Sequence, residues 1–275
     1  MLRLVAMPLG NPGDLSPRAR ETLSCADAVL AEDTRRAGLL CRRCDVKVRR
    51  FISFHEHNEE KRGPELVARL RQGARLALIS DAGMPIIADP GYRLVRMCRE
   101  AGIPVSVIPG PSAPLTALAG SGIAPLPYTF LGFLPRDRAG RHRLFSAFTH
   151  TPGSLVFFER KDRLAASLAD AHALLGRREL CIARELTKTH EEFIVARLAD
   201  FSQVSADLLG EITVVIGPAL ETRRNSEPEA RAVLREEQER GGRPREMARR
   251  AQGRLHGWTG RELYALLTRN DASHE

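Results

Sequence analysis

The 275-residue sequence is poor in aromatic side chains and lacks any apolar run long enough for a membrane span. Phe, Trp and Tyr together make up 5% of the residues, with a single Trp. Proteins that grip free single strands stack bases on several aromatic rings, so we expect no extended stacking platform here. A transmembrane helix needs roughly 20 consecutive apolar residues. Pro8 and Gly10 interrupt the N-terminal segment before a signal-peptide core develops, which predicts a cytoplasmic protein.

The common nucleotide and metal motifs are also absent. No GxxxxGK[ST] phosphate loop and no HExxH helix occurs, and no GxGxxG follows a strand. Cys41 and Cys44 form one CxxC pair, but no second pair completes a zinc site. Arg42 and Arg43 lie between these cysteines and could lower the pKa of the thiols, although two ordinary thiols near a helix end are the simpler interpretation. We therefore expect neither a metal nor a membrane as partner.

Positive charge is the strongest compositional signal. The net charge is +8 and the pI is about 9.8, while the hydrophobic fraction of 43% is ordinary for a globular protein. A basic surface attracts polyanions, of which nucleic acid is the commonest, with membranes and acidic metabolites behind it.

Short apolar strands alternate with helical segments through residues 1–120. Such repeated strand–helix units with short connections predict a parallel sheet covered on both faces, and so an α/β lobe. A Gly/Pro-rich linker follows, and residues 125–220 contain more strands than helices, which predicts a second α/β lobe with a mixed sheet. One of its helices is expected over residues 198–208. Residues 221–275 are rich in Arg and Glu and predict a helical or partly mobile C-terminal extension.

Three loops rich in Gly and Pro stand where predicted parallel strands end. They cover residues 8–14, 80–90 and 109–113, and none of them contains a lysine. Open α/β sheets bind their ligands at this edge. Because the side chains in these loops are apolar or acidic, such as Met84, Asp81 and Asp89, a cationic or neutral adenosyl compound suits them better than a triphosphate.

Several longer segments resemble one family, the ribosomal RNA small-subunit methyltransferase I family within the tetrapyrrole methylases. The matching segments are AMPLGNPGD (6–14), AEDTR (31–35), SFHEHNE (53–59), SDAGMP (80–85), ADPGY (88–92), IPGPSA (108–113), GFLPR (132–136) and ARELTK (183–188). The resemblance covers most of residues 1–217 and implies a two-lobed tetrapyrrole-methylase-like fold with a cleft between the lobes. It also implies S-adenosylmethionine as cofactor, a homodimer, and methylation of a cytidine 2′-hydroxyl in small-subunit ribosomal RNA, free or in the assembled subunit.

The sequence departs from the family pattern at three places. Met7 and Met84 stand where the family usually has threonine before proline, which removes a hydroxyl from each loop. The segment 159–163 reads ERKDR where the family tends to show Glu-Ser-Pro-His-Arg.

The resemblance assigns cofactor contacts to the three Gly/Pro loops. The expected cofactor-binding residues are Pro8, Gly10, Asp81, Ala82, Gly83, Met84, Pro109, Gly110, Pro111, Ser112 and Ala113.

A ribose hydroxyl is a weak nucleophile, so a base or charge partner should help remove its proton. Lys188 is the first candidate, because burial and cationic neighbours can depress the pKa of a lysine until it acts as a base. Glu185 and His55 are the next catalytic candidates, followed by Glu191 and Glu56.

Arginines and lysines would hold the RNA through its phosphates. The preferred RNA-binding cluster lies on the loop expected over residues 132–143 and consists of Arg136, Arg138, Arg141 and Arg143. Residues 160–163 form a second basic group, and residues 35–36 with 42–43 form a third. Since aromatic residues are few, we expect the shape of a folded ribosomal site to be recognised.

Two other functions fit the same scaffold. One is a tetrapyrrole C-methyltransferase that acts on a small substrate. The other is a non-catalytic RNA- or ribosome-binding protein, for which the two methionines and the altered segment 159–163 would be the sequence signs.

Overall fold

The computed structural model describes residues 1–203, 208–219, 225–255 and 257–271. The chain divides into two compact units, Met1–Pro218 and Ala219–Glu275. The first unit contains two α/β lobes, each built on a 5-stranded sheet. The expected boundary between residues 220 and 221 lies outside the described residues.

The first sheet is wholly parallel, as the alternation of strands and helices predicts. Its order is β3-β2-β4-β1-β5, and each neighbouring pair runs in the same direction. The central strands are buried on both faces, which explains their continuous apolar sequences. The strands are β1 (Leu2–Val5), β2 (Ala28–Ala31), β3 (Phe51–Ser53), β4 (Leu76–Leu78) and β5 (Val105–Ile108).

Helices cover both faces of this sheet and bury two separate apolar clusters against it. Ser16 caps the first helix and Pro17 occupies its first position, as the sequence predicts. The helix expected to open at Asp89-Pro90 begins later, at Tyr92, because Gly91 has a φ of 127° that no helix accommodates. The helices are α1 (Pro17–Cys25), α2 (Thr34–Arg43), α3 (Glu56–Arg71), α4 (Tyr92–Glu100) and α5 (Ala113–Gly120).

The second sheet is mixed, with order β6-β7-β10-β8-β9. Strand β6 is parallel to β7, and the other pairs are antiparallel. One face packs on two helices, α6 (Arg138–Ser146) and α7 (Lys161–Leu175), and α5 packs on the other. The strands are β6 (Tyr128–Phe133), β7 (Ser154–Glu159), β8 (Glu179–Arg184), β9 (Glu192–Arg197) and β10 (Ile212–Ile216). The predicted two-lobed fold, with one parallel and one mixed sheet, is confirmed.

Two local predictions need correction. The helix expected over residues 198–208 is only a short 3-10 turn, Leu198–Gln203, and residues 204–207 lie outside the described part of the chain. The segment 132–143 is not one loop, because α6 already begins at Arg138 with Asp137 as its N-cap.

The C-terminal unit contains three helices, α8 (Glu227–Glu239), α9 (Pro244–Gln252) and α10 (Gly260–Asp271), which enclose their own apolar cluster. The carboxylate of Glu237 is fully buried and pairs with Arg240, Arg250 and Arg254. This buried ion cluster accounts for part of the Arg and Glu density of the segment.

Within the described ranges, no helix has both the length and the apolar character needed to cross a lipid bilayer. Cys41 and Cys44 are buried near the end of α2, and burial raises the pKa of Cys41 to about 11. The idea that the neighbouring arginines lower the pKa of this thiol is therefore wrong.

Candidate active site

The three Gly/Pro loops leave three neighbouring strands, β4, β1 and β5, and meet at the carboxyl edge of the first sheet. Met7 and Gly83 join the first two loops through a pair of backbone hydrogen bonds. The Met7 N–H donates to the Gly83 carbonyl over 2.8 Å, and the Gly83 N–H donates to the Met7 carbonyl over 3.0 Å. The Ser80 hydroxyl donates to the carbonyls of Ala82 and Gly83, which holds the turn of the second loop.

Two glycines let these loops approach one another. Gly83 has a φ of 70°, and a Cβ there would lie 3.5 Å from the Pro111 carbonyl oxygen. A Cβ on Gly110 would lie 2.9 Å from the Cβ of Ala6, closer than real side chains tolerate. Gly110 is thus required by close packing, whereas Gly83 is required by its left-handed backbone conformation, which side chains rarely adopt.

A cleft of about 530 Å³ separates the two lobes at this edge. Six of the residues predicted to contact the cofactor line its first side: Asp81, Ala82, Gly83, Met84, Ser112 and Ala113. The other expected cofactor residues, Pro8, Gly10, Pro109, Gly110 and Pro111, lie in the same loops but do not line this volume. The second lobe contributes Phe133, Phe158, residues 159–162 and residues 210–213.

Carboxylates give the first side of the cleft a negative charge. Asp81 and Asp89 line it, and Arg36 pairs with Asp81 over 3.2 Å. Burial, reinforced by the charges of Glu32 and Asp81, raises the pKa of Asp89 to about 6. A carboxylate at such a site is stabilised by a cation, so this side of the cleft favours a positively charged ligand.

The backbone beside Asp89 is strained. Ile86 has a φ of 77° and Ala88 a φ of 69°, in the left-handed region that β-branched and other non-glycine residues avoid. Such residues cluster at ligand sites, where the surrounding packing holds them. The packing that holds these strained residues also holds residues 87–89, which line the cleft.

A loop of the second lobe, residues 185–188, closes over the first of the Gly/Pro loops. The Asn11 N–H donates to the Thr187 hydroxyl over 3.1 Å, and the Lys188 side chain packs on Gly10 with no space left for a Cβ. Glu185 and Thr187 both have positive φ values, 51° and 63°. Gly10 therefore contacts the second lobe through Lys188 and does not line the cleft.

Lys188 sits between two carboxylates. Its Nζ lies 2.9 Å from Glu185 Oε1 and 3.1 Å from Glu211 Oε2. Of these three residues only Glu211 lines the cleft, and it connects the other two to that volume. Burial alone would lower the pKa of Lys188, but the hydrogen bonds to the two carboxylates outweigh it and raise the pKa above its usual value. The expectation of a depressed pKa is therefore wrong, and Lys188 is a fixed positive charge.

His55 lies away from this arrangement. It is the N-cap of α3, which follows β3, the edge strand farthest from β5. Its backbone N–H donates to Asn58 Oδ1 over 3.0 Å, and it is not among the residues that line the cleft. The structure thus brings Lys188 and Glu185 together but leaves His55 apart.

The basic segment 136–143 divides into two parts. Arg141 is buried, pairs with Asp170 over 2.8 Å, and donates to the backbone carbonyls of Pro135 and Arg136. Arg138 also pairs with Asp170, over 3.2 Å. We therefore assign Arg141 to holding the loop, because a buried and paired guanidinium does not reach an RNA phosphate.

Arg136, in contrast, lines a groove of about 580 Å³ together with Arg160 and Arg163. This groove shares Phe133, Arg160 and Asp162 with the cleft. The positive charge that faces solvent beside the cleft thus comes from Arg136 and from the segment 160–163. Arg143 is exposed on α6 and does not line the groove.

Some residues of the site carried no signal in the sequence. Glu159 has a fully buried side chain that accepts hydrogen bonds from Arg163 and Ser167, and it lines the cleft. Glu211 becomes a partner of Lys188 only through the pairing of β10 with β8. In the described ranges, no cluster of three or more His, Cys, Asp or Glu side chains could hold a metal ion.

Comparison with known proteins identifies relatives of this chain. The family model described as Tetrapyrrole (Corrin/Porphyrin) Methylases matches residues 1–202. The chain is 40% identical over 264 residues to "Ribosomal RNA small subunit methyltransferase I" of Micromonospora olivasterospora, covering 94% of this chain and 84% of the relative. It is 42% identical over 219 residues to the protein of the same name from Thermotoga maritima, covering 78% of this chain and 97% of the relative.

Solved structures show the same fold at lower identity. Uroporphyrin-III C-methyltransferase from Thermus thermophilus, complexed with S-adenosyl homocysteine, matches with a TM-score of 0.57 at 20% identity, over 78% of this chain and 96% of that one. A diphthine synthase matches with a TM-score of 0.63 at 14% identity, over 79% of this chain and 90% of that one. At these identities the likeness extends to the fold alone.

Proposed function

This chain belongs to the ribosomal RNA small-subunit methyltransferase I family, within the tetrapyrrole methylases, and on that basis we propose that it methylates small-subunit ribosomal RNA. The methyl donor is S-adenosylmethionine and the acceptor is the 2′-hydroxyl of a cytidine. The observation that carries the proposal is the cleft between the lobes, which is acidic and glycine-rich on one side and bordered by arginines on the other.

The residues on the first side suit a sulfonium nucleoside. Gly83, Ser112 and Ala113 line the cleft, where their backbone groups can hold an adenosyl moiety. Asp89 supplies negative charge for its cationic part, whereas the charge of Asp81 is offset by Arg36, which also lines the cleft. Met84 replaces the hydroxyl of the family pattern by a thioether and still lines the cleft. The volume of about 530 Å³ lies in the usual range of small-molecule sites.

When bound, the cofactor supplies an activated methyl group for an in-line displacement. A C–O bond forms to the ribose as the C–S bond breaks, its electron pair stays with sulfur, and the hydroxyl loses its proton. The main task of the protein is to align the acceptor oxygen, which alone contributes several kcal/mol to such a reaction (about 7–11 kcal/mol in the best cases).

Lys188 and its partners are the groups we assign to the acceptor oxygen. Because Lys188 stays protonated, it stabilises the negative charge that develops on the 2′-oxygen and does not act as the base. Glu211, which lines the cleft, accepts the proton. Glu185 positions Lys188, since its Oε1 accepts both the Lys188 ammonium and the Glu211 N–H. His55 has no role in this proposal.

Membership of this family is also the basis for a proposal about the partners of the protein. We propose that the protein acts as a homodimer in the cytoplasm, on free small-subunit RNA or on the assembled subunit. The surface formed by Arg136, Arg160 and Lys161 would face the phosphates.

Incubation with methyl-labelled S-adenosylmethionine and small ribosomal subunits from cells that lack this activity tests the proposal. We expect label in the RNA that survives alkali as a cytidine dinucleotide, because a 2′-O-methyl group blocks cleavage of the next phosphodiester. Label that enters only an added tetrapyrrole would favour the C-methyltransferase alternative. Subunit binding without cofactor binding or label would favour the non-catalytic alternative.

A further inference from the structure

The ring of Phe133 is exposed at the junction between the cleft and the basic groove. We propose that it is the stacking platform for the base of the nucleotide that enters the cleft, while Arg136 and Arg160 hold the adjacent phosphates. This inference rests on the proposed function and adds to it the residues that hold the target nucleotide.

The position of Phe133 depends on an irregularity in strand β6. Pairing with β7 runs from Phe130↔Val156 to Phe133↔Phe158, so two residues of β6 oppose one residue of β7 between these pairs. Gly132 has a φ of 68° at this point, as in a bulge with a left-handed glycine. Bulges turn a side chain out of the regular alternation, and here the side chain that follows lies at the mouth of the cleft.

Neighbouring rings support Phe133 from one side only. Phe158 lies 5.0 Å from Phe130 and 5.2 Å from Phe133 between ring centroids, so the three rings form a continuous aromatic group. Phe130 and Phe158 are partly buried, whereas Phe133 is 58% exposed. A large apolar ring that is held in place and still exposed provides a surface for another flat group.

Charge around the ring favours a nucleotide as that group. Arg136, Arg160 and Arg163 line the groove on one side of Phe133, with Asp162 as the acidic member. Asp162 pairs with Arg160 through Nε over 3.0 Å, and Arg163 pairs with Glu159. Asp162 offsets one of these arginines and Glu159 another, so the groove keeps a net positive charge. The Arg136 guanidinium and the terminal nitrogens of Arg160 thus line a groove beside an exposed aromatic ring, a combination that suits a nucleotide of RNA.

The 2′-hydroxyl must enter the cleft to meet the methyl donor, and a nucleotide that leaves its stack in folded RNA to do so loses the stacking of its base. A ring at the mouth of the cleft replaces part of the stacking that the base loses. Since the sequence is poor in aromatic residues, one ring rather than a row of rings has this role. The sugar would then reach the cleft, which Phe133 also lines.

Substitutions at Phe133 test the stacking, with Tyr128 as the matched control. Tyr128 is a partly exposed aromatic residue at the other end of the same strand, about 17 Å away. We expect Phe133→Ala and Phe133→Leu each to lower kcat/KM for methylation of small subunits on the order of tenfold to a hundredfold, the size of one lost base stack. Phe133→Tyr should stay within about threefold of wild type, since tyrosine also stacks. The affinity for S-adenosylmethionine should be unchanged in all three, and Tyr128→Ala should behave as wild type.

The salt dependence of subunit binding separates stacking from phosphate contacts. Arg136→Gln and Arg160→Gln should each reduce the slope of log K against log salt by about 0.7–0.9, whereas Phe133→Ala should leave that slope unchanged. Full activity of Phe133→Leu would overturn the stacking role, because leucine fills space without stacking. Full activity of Phe133→Ala alongside an active wild type would overturn this inference alone. A wild type that transfers no methyl group to subunits would overturn the proposed function and this inference with it.

Discussion

Gly10 lies directly against the Lys188 side chain, and a Cβ on Gly10 would collide with the Cγ of that lysine. The two residues belong to different lobes. Because Gly10 has no side chain, the Lys188 side chain can lie against it, and this contact sets the position of the ammonium group. The hydrogen bond from Asn11 N–H to Thr187 Oγ1 holds the same contact one residue further along each loop.

Gly10→Ala should therefore weaken both folding and methyl transfer. The added methyl group must displace Lys188 near its backbone, and the Leu186 carbonyl oxygen would lie only 3.3 Å away. Overpacking of this kind costs about 1–3 kcal/mol in the free energy of unfolding. Gly38→Ala is the control, because Gly38 lies inside α2 with no atom nearer than 3.9 Å to an added Cβ. It should stabilise by about 0.5–1 kcal/mol. Denaturant unfolding measures both, and an unaltered Gly10→Ala protein would contradict the contact.

Lys188→Met should abolish most methyl transfer while cofactor binding persists. Loss of a preorganised charge at the reacting oxygen costs on the order of 10²–10³ in kcat. His55→Asn should keep full activity, because asparagine is a good N-cap and His55 follows the edge strand β3, not one of the strands β4, β1 and β5 that carry the Gly/Pro loops. Steady-state methylation together with calorimetry of cofactor binding checks both variants. A larger loss of activity in His55→Asn than in Lys188→Met would reverse the assignment.

Affinity for S-adenosylmethionine should fall as the pH is lowered through about 6, where Asp89 takes up a proton. The neutral acid no longer attracts the sulfonium charge. S-adenosylhomocysteine has the same shape without that charge, so its affinity should change less over the same range. Asp89→Asn should remove the difference between the two ligands. Equal pH profiles for both ligands in the wild type would show that Asp89 does not face the sulfonium.

The Asp89 carboxyl group should also affect the stability of the fold. The folded-state pKa of Asp89 is raised, so its protonated form stabilises the fold at low pH, and this contribution is lost as the pH rises through about 6. The Tm of Asp89→Asn should therefore exceed that of the wild type at pH 8, and the difference should shrink as the pH falls from about 6 toward the ordinary aspartate pKa of about 4. Thermal unfolding across this range measures the effect, and a lower Tm for Asp89→Asn at pH 8 would contradict it.

Asp170→Asn should destabilise the second lobe strongly. Burial alone would raise the pKa of Asp170, but hydrogen bonds from His142 and Arg141 lower it, so the buried carboxylate is ionised and paired with a buried arginine. Removing its charge leaves Arg141 unpaired, at a cost of about 3–5 kcal/mol. Because the pKa of Asp170 is lowered in the fold, its contribution is present at neutral pH and lost as the pH falls through that pKa. Glu100→Gln, in an exposed pair with Arg96, should leave the Tm nearly unchanged.

The sequence alone predicted the elements whose causes are local. Apolar strands, the Ser16–Pro17 helix start and the Gly/Pro loops depend on neighbouring residues, and all appear at or near the expected positions. The three Gly/Pro loops could be predicted to lie at one edge of the sheet, because parallel strands all end at the same edge. The strand order, which makes β4, β1 and β5 neighbours, could not be predicted from the sequence.

The ion pairs of charged side chains, and the pKa values that depend on them, were harder to predict because the partners are distant in sequence. Arg141 looked like a surface residue until Asp170, 29 positions away, was seen to pair with it. The pKa of Lys188 was expected to fall and rises instead, because Glu211 arrives from a different strand. The exposed position of Phe133 could not be predicted, because it depends on the bulge at Gly132. No pattern of apolar residues indicates that bulge.

The identity of the methylated nucleoside is the most direct test of the proposed function. Small subunits from cells lacking the activity would be methylated by the wild type and by Lys188→Met in parallel, and their RNA would be digested to nucleosides and separated by mass and retention time. We predict 2′-O-methylcytidine after treatment with the wild type and almost none after treatment with Lys188→Met. A methyl group on a cytosine base, or no methylated nucleoside while S-adenosylmethionine is bound, would contradict the proposal.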